Sequence, residues 1–187
     1  MNKLSSSSCV RFNTQEITTT FEKEELKKVA LSWSVLAIEE ACKPGYQPWE
    51  KERFIAASTT AQDIPRKIDY TIDNSGTVFR VFACYGAQKS LESIAVIKEK
   101  SSSLFISSML SHPCKTVNNK GAGTALIYHL FEKCIQEGKK SIGVFPLGSS
   151  VRFYTGVGFS VPSPGEEELC PLRITAERMQ VLVVKKK

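Results

Sequence analysis

The pattern of hydrophobic and polar positions divides the chain into a helical first part, a strand-rich middle and a last part of alternating helices and strands. The first 18 residues are rich in Ser, Thr and Asn, which is typical of a flexible lead-in or a short first strand. Apolar residues then recur at helical spacing from Leu26 to Ala37. Thr19 and Glu22 fit a capping box at the start of this helix, and residues 43–45, Lys-Pro-Gly, end it. A weaker helical pattern follows over residues 48–61.

The middle of the chain predicts an antiparallel meander of three strands. Residues 77–85, 91–98 and 104–110 are rich in β-branched and aromatic side chains. The stretches between them are short enough for hairpin loops and contain turn-tolerant residues. A turn is expected at residues 73–76, after a short edge strand at 70–72.

The second half of the chain changes to a β-α-β-α order. A helix is expected over residues 123–137, a strand over 141–145, a short helix over 149–156 and a last strand over 179–184. Two neighbouring rows at i, i+4 spacing give the first of these helices a single apolar face. The residues of that face are Leu126, Ile127, Leu130, Phe131, Cys134 and Ile135.

Length and composition indicate one globular domain over residues 1–187, with residues 1–18 as a flexible lead-in. A chain of 187 residues can build a full core but is short for two domains, and 42% hydrophobic with 24% charged residues is ordinary. The net charge of +6 suits either nucleic acid or a ligand with several phosphates. The basic residues of the chain are mixed with acidic ones, which does not favour nucleic-acid binding.

Cysteine usage and the absence of long apolar runs indicate a soluble cytoplasmic protein. The six cysteines are scattered, form no C-x-x-C pair and have only two histidines to accompany them, so no metal site is expected. The N-terminus lacks the apolar stretch of an export signal. No run approaches the roughly 20 apolar residues of a membrane span. The sequence does not distinguish a monomer from a homodimer.

The loop that enters the helix predicted from Gly123 is the most informative stretch for chemistry. Residues 118–124 read Asn-Asn-Lys-Gly-Ala-Gly-Thr and follow a predicted strand. Backbone N–H groups at a helix start lack intrahelical partners and lie at the positive end of the helix dipole, so they can bind a phosphate or pyrophosphate. Gly121 and Gly123 leave room for the anion, while Lys120 and Thr124 can add a charge and a hydroxyl. A tight strand-to-helix turn is the alternative interpretation.

A second motif gives this loop a family context. The loop has the form Asn118-x-x-Gly121-x-Gly123, and the later short helix carries Tyr154-x-x-x-Gly158-Phe159. A Walker-type P-loop and a complete dinucleotide-binding fingerprint are both absent. The chain resembles the Gcn5-related N-acetyltransferases, which have Gln/Arg-x-x-Gly-x-Gly/Ala at a helix start and a Tyr-x-x-x-Gly-Phe type signature in a later short helix. The resemblance covers about residues 70–160.

The resemblance implies a fold and an activity. The fold would be α+β, with a mixed, largely antiparallel sheet that is flanked by helices and splayed open between the strand ending near Ser111 and the strand at 141–145. Acetyl-CoA would lie in that opening and donate its acetyl group to a primary amine of a small molecule or protein. The acceptor site would be formed by the first helix, the region to about residue 65, and residues 162–173.

The resemblance also implies roles for individual residues. Tyr154 would be the acid that protonates the departing thiolate of coenzyme A, with packing of the short helix as its alternative role. The residues expected to bind acetyl-CoA are Met109, Leu110, Ser111, Asn118, Asn119, Lys120, Gly121, Ala122, Gly123 and Thr124.

The general base is left open by the sequence. Many relatives carry a glutamate in the strand before the loop, but residues 106–109 contain none, and Asn118 stands where the family has Gln or Arg. These departures leave a second hypothesis, a non-catalytic module of the same fold that binds coenzyme A or another protein. His112 is expected to be structural or solvent-facing and His129 exposed. Cys114 and Cys134 are expected to be structural.

Overall fold

A computed structural model describes residues 12–70, 78–114, 121–161 and 172–186. Within these ranges six strands form one sheet in the order β1 to β6, in which β4 and β5 are parallel and all other neighbours antiparallel. The predicted α+β class with a mixed, largely antiparallel sheet is confirmed. The strands are β1 (Asn13–Ile17), β2 (Val78–Tyr85), β3 (Leu91–Glu99), β4 (Ser103–Ser111), β5 (Ser141–Val144) and β6 (Leu172–Thr175).

In the same ranges, five α-helices cover the two faces of the sheet. One core lies between the sheet and the first two helices, and a second core lies between the sheet and the later helices. None of the helices in the described part of the chain is both long and apolar enough to cross a membrane. The helices are α1 (Thr20–Cys42), α2 (Pro48–Asp69), α3 (Ala122–Gln136), α4 (Val151–Gly156) and α5 (Ala176–Lys186), with a 3-10 turn (Gly148–Ser150) before α4.

The start of α1 is set by the predicted cap. Thr19 lies in an extended conformation, and its hydroxyl accepts a hydrogen bond from the backbone N–H of Glu22 at 3.2 Å. The same hydroxyl donates to the Glu22 carboxylate at 2.7 Å. The first of these bonds satisfies a helix-start donor that would otherwise lack a partner. The lead-in before this cap forms the short strand β1 from Asn13, while residues 1–11 lie outside the described residues.

The second helix is longer than its sequence pattern predicted. The expected end at residue 61 is wrong, because α2 continues to Asp69 and includes Pro65. Proline removes one helical hydrogen bond, but Ile64 and Ile68 lie on the inner face and are 0% and 5% exposed. Burial of this face therefore outweighs the helix-breaking preference of proline. A strand was expected at residues 70–72, but Tyr70 is the C-cap of α2. Residues 71–77, which include the rest of this strand and the predicted turn, lie outside the described ranges.

The last element is a helix where the sequence predicted a strand at residues 179–184. The β-branched composition of this stretch favours a strand, yet Met179 is fully buried, Leu182 packs on the core, and Val181 and Val184 are exposed. That spacing is helical, and it lets α5 lay one face against α3. The strand prediction is wrong because the position of the apolar residues, not their branching, decided the conformation. The closing strand is β6, which precedes α5 and pairs with β5.

A β-bulge in β4 changes which face of the sheet its side chains occupy. Ile106 pairs with Ile97 and Ser108 pairs with Val96, so Ser107 is left without a partner on β3. Before the bulge Ile106 points into the core beneath α3, whereas after it Leu110 points into the core beneath α1 and α2. The bulge therefore resets the inward and outward alternation in the middle of β4.

Candidate functional site

The opening of the sheet lies beside the second half of β4. β5 pairs with β4 only from Ser103 to Ile106, opposite Ser141 to Val144. Beyond the bulge, from Ser108 to Ser111, β4 retains β3 on one side and has no strand of the described ranges on the other. Backbone N–H and C=O groups on such an unpaired edge can pair with an extended ligand.

The start of α3 faces this edge. Gly121 caps the helix with a φ of 107°, a left-handed conformation that glycine adopts without steric cost. The Ala125 N–H donates to the Gly121 carbonyl at 2.8 Å, so the three amides before it, from Ala122 to Thr124, precede the first intrahelical bond. Their N–H groups lie at the positive end of the helix dipole, where an anion binds favourably.

Gly123 brings the helix start into close approach with β4. A methyl group placed on Gly123 would lie 3.0 Å from the Ser111 hydroxyl and 3.1 Å from the Met109 methyl carbon. It would also lie 3.6 Å from the ring of Phe153 in α4. Three elements that are separate in sequence therefore meet at Gly123. The sequence pattern did not single out Phe153, which directly precedes the tyrosine of the family motif.

The remaining predicted cofactor residues fall into three groups. The side chain of Leu110 is buried on the opposite face of the sheet, so only its backbone can face the opening. Ala122 is buried in the core beneath α3 and can likewise offer only its backbone. Asn118, Asn119 and Lys120 lie outside the described residues. Their predicted contacts with a pyrophosphate stay predictions.

Tyr154 lies in the same part of the molecule but points into the core. Its side chain is 6% exposed, and its ring packs edge-on against Phe153 at 5.1 Å and Phe159 at 5.4 Å between centroids. Burial raises the pKa of the Tyr154 phenol well above its ordinary value. The phenol is therefore protonated at neutral pH and able to donate. Its assignment as the acid of the reaction stays a prediction.

A polar cluster on α2 contacts β4 at the bulge. Lys67 Nζ lies 2.6 Å from the Asp63 carboxylate and donates to the Ser107 carbonyl at 2.9 Å and the Ser108 hydroxyl at 2.8 Å. The Ser108 hydroxyl in turn donates to Asp63 at 3.2 Å. The sequence pattern missed this cluster because the predicted helix ended before Asp63. Asp63 and Lys67 are spaced at i, i+4, which would have indicated an ion pair if the helix had been predicted to continue past residue 61.

His112 and Cys114 are held by structural contacts at the end of β4. The His112 ring packs edge-on against Trp33 at 5.1 Å, and its Nδ1 accepts from the backbone N–H of Cys114 at 3.2 Å. The Cys114 thiol donates to the Glu40 carboxylate at 3.3 Å. Burial, together with the carboxylate, raises the pKa of the Cys114 thiol. A protonated thiol is a poor nucleophile, which agrees with the predicted structural role.

The two other candidates, both on α3, are shielded from solvent. His129 is partly buried and Cys134 is fully buried. His129 was expected to be exposed, but burial lowers its pKa, and its ring lies 5.9 Å from that of Phe82. That expectation is wrong because position 129 faces the β1–β2 side of the sheet. Burial raises the pKa of the Cys134 thiol to about 12, so this cysteine is unreactive. A cavity of about 290 Å³ beside His129 and Phe12 contains none of the predicted site residues.

The expected acceptor side is described only in part. α1 and α2 pack together over the sheet and bring the Asp63–Lys67 pair to the bulge. The third predicted segment, residues 162–173, is described only at Leu172 and Arg173 in β6. The location of the acceptor site stays a prediction.

Comparisons with known proteins agree with this architecture. No protein-family model and no curated protein matches the chain in sequence. Among solved structures, an acetyltransferase of the GNAT family from Staphylococcus aureus Mu50 is 15% identical with a TM-score of 0.56, over 89% of this chain and 99% of its own. The PaiA N-acetyltransferase from Thermoplasma acidophilum, solved with coenzyme A, is 15% identical with a TM-score of 0.53, over 87% and 96%. The spermidine N-acetyltransferase from Vibrio cholerae, solved with coenzyme A and spermine, is 13% identical with a TM-score of 0.52, over 90% and 98%.

Proposed function

We propose that this chain, which has the fold of the Gcn5-related N-acetyltransferases, transfers the acetyl group of acetyl-CoA to a primary amine of a small molecule or protein. The observation that carries the proposal is the pairing of an open β4 edge with a glycine-lined helix start. The edge begins at Ser107, and Gly123 packs against Met109 and Ser111 at its far end. An extended thioester arm and a pyrophosphate need these two surfaces side by side.

The proposed binding mode assigns each surface one part of acetyl-CoA. The amides from Gly121 to Thr124 would hold the pyrophosphate, with Asn118, Asn119 and Lys120 on the same loop. The backbone from Met109 to Ser111 would pair with the pantetheine arm as an added strand would. Gly123 supports this arrangement because any side chain there would fill the space between helix and strand.

The proposed chemistry has two proton transfers and one developing charge. The acceptor must lose a proton before it attacks, since an ammonium has no free electron pair and lysine-like amines have pKa values of about 10.4. A backbone N–H on the open β4 edge would stabilise the thioester oxygen as it becomes negative. Tyr154 would donate to the departing sulfur, which its protonated state supports.

Calorimetric titration with acetyl-CoA and with coenzyme A tests the binding mode. A micromolar dissociation constant, about −8 kcal/mol, is the expected result. No heat with either ligand would overturn the proposal, and the search would turn to protein or nucleic-acid partners.

Release of free thiol from acetyl-CoA in an amine screen then tests turnover. Spermine is a suitable first acceptor because one structural neighbour was solved with it. Thiol release that depends on the amine is the expected result. Binding without release across the screen would favour the second hypothesis, a non-catalytic module that binds coenzyme A or a protein, since residues 106–109 of β4 carry no glutamate.

A cytoplasmic location completes the proposal. Cys42, Cys84, Cys114 and Cys134 are all free thiols in the described part of the chain. Free cysteines persist in the reducing environment of the cytosol. Fractionation of cells that express the protein would test this location.

A further inference from the structure

Lys67 is held at the point where β4 loses β5. Its ammonium is surrounded by three oxygen atoms, from the Asp63 carboxylate, the Ser107 carbonyl and the Ser108 hydroxyl, at 2.6, 2.9 and 2.8 Å. Ser107 is the residue that the bulge leaves unpaired, and it is the first residue of β4 beyond the pairing with β5. A primary amine of this chain therefore lies against the start of the open edge.

Lys67 differs in its partners from another aspartate-paired lysine of the same helix pair. Lys27 on α1 is partly buried to a similar degree, with 16% of its side chain exposed against 25% for Lys67. It forms an equally short pair, 2.6 Å from Asp69, and its second ion pair is with Glu24 on its own helix. Lys27 thus links the two helices to each other, whereas Lys67 reaches past its aspartate to the backbone of the strand.

We propose that Lys67 is an internal acetyl acceptor, so that the protein acetylates its own Lys67 Nζ, with Asp63 receiving the proton that this nitrogen must lose. This inference rests on the proposed function, because the acetyl group would come from acetyl-CoA along the open β4 edge. Holding the amine at this edge converts a bimolecular attack into a unimolecular one, which lowers the entropic part of the barrier.

The reaction balances with groups already named. The Lys67 ammonium gives one proton to the Asp63 carboxylate, and the neutral nitrogen attacks the thioester carbonyl carbon. A C–N bond forms and the C–S bond breaks, so acetyl-lysine and the thiolate of coenzyme A result. Tyr154 would protonate the departing thiolate, and the second proton of the attacking nitrogen would restore the Tyr154 phenol through solvent. Acetylation removes the positive charge of Lys67 and with it the ion pair to Asp63.

Mass spectrometry of the full chain after incubation with acetyl-CoA tests this inference. The expected result is a mass increase of one acetyl group that peptide mapping places on Lys67. The rate should be independent of protein concentration, because donor and acceptor belong to one complex. Lys27 is the matched internal control for a buried, aspartate-paired lysine, and Lys28, with 72% of its side chain exposed, reports non-enzymatic acetylation.

Two variants separate a chemical role from a structural one. Asp63→Asn should slow acetylation of Lys67 by about 10²-fold, the usual contribution of a positioned proton acceptor. Lys67→Arg retains a cation for Asp63 and Ser108 but should show no acetylation at this position. Thermal melting and acetyl-CoA titration of both variants establish that they are folded and bind the donor.

The outcomes distinguish this inference from the proposed function. If acetyl-CoA binds and Lys67 stays unmodified, the inference is wrong while the proposed function stands. If acetylation instead followed the solvent exposure of the lysine side chains, so that Lys28 were modified faster than Lys67, the inference would also be wrong. Failure to bind acetyl-CoA would overturn the proposed function itself, and the inference with it.

Discussion

Two charged clusters join helices to the sheet, and they differ in what surrounds them. Arg80 on β2 donates to Glu16 on β1 at 2.7 and 2.8 Å and to Glu137 beyond α3 at 2.7 and 2.8 Å. It lies within a strand paired on both sides. Lys67 instead contacts β4 where the strand is paired on one side only.

Only one of these two clusters is suited to chemistry. Hydrogen bonds from Arg80 to Glu16 and Glu137 raise the already high pKa of its guanidinium, so this group keeps its proton and acts through fixed geometry. An ammonium such as that of Lys67 can give up a proton and then act as a nucleophile. We therefore expect the Arg80 cluster to contribute stability and the open edge of β4 to contribute binding and turnover.

Gly123→Trp should have the largest effect of these variants, on cofactor binding at the open edge of β4. The indole would occupy the space between Ser111 and Met109, where even a methyl group would be in close contact. Acetyl-CoA affinity should fall by at least about 100-fold, or about 2.7 kcal/mol, in calorimetric titration. Gly156→Trp is the matched control, because a side chain at Gly156 would meet open space. Unchanged affinity in the Gly123 variant would remove the helix start from the cofactor site.

Tyr154→Phe should affect turnover but not binding. Removal of the phenol takes away the proposed proton donor while the ring keeps its packing against Phe153 and Phe159. The rate of acetyl transfer should fall by about 10²-fold with little change in acetyl-CoA affinity. Thiol release at saturating acetyl-CoA measures the rate. An unchanged rate would leave Tyr154 with its alternative role in packing the short helix.

Arg80→Met should lower stability and leave acetyl-CoA affinity unchanged. The substitution leaves the carboxylates of Glu16 and Glu137 without their cation, at a cost of about 2 kcal/mol in the free energy of unfolding. Urea denaturation measures this loss. Lys28→Met breaks a solvent-exposed pair with Glu25 and should leave stability nearly unchanged. If Arg80→Met weakened cofactor binding as much as stability, the division between the two regions would be wrong.

The smallest expected effect is a change in acid sensitivity. The hydrogen bond from Arg80 lowers the pKa of both Glu16 and Glu137 below the ordinary value of 4.5. A lowered folded-state pKa contributes stability that is present above the unfolded value and is lost as the pH falls through the folded value. Glu137→Gln should therefore lose less stability than the wild type below pH 4.5, by under about 1 kcal/mol. Parallel stability curves for the two proteins would show that this carboxylate carries none of the acid sensitivity.

Much of the fold could be predicted because the local sequence pattern of most elements agrees with the conformation they adopt. The capped first helix, the three-strand meander and the helix after the glycine loop follow their predicted patterns to within a few residues. The predictions failed where burial competed with propensity. Pro65 does not end α2, and the β-branched residues of the last segment form α5, because in both cases a helical face is buried against the core.

The class of fold, the glycine-containing helix start and the family resemblance could all be predicted from the sequence, since they depend on spacing along a continuous stretch. Tertiary structure decided which residues share the open edge. Met109, Gly123 and Phe153 are distant in sequence and meet only because α3 and α4 pack beside β4. The position of Lys67 depends on two further features that no local sequence pattern predicted. These are the extension of α2 past Pro65 and the bulge at Ser107. Long-range packing set both, which is why only the folded chain brings an amine to the edge where acetyl-CoA is proposed to bind.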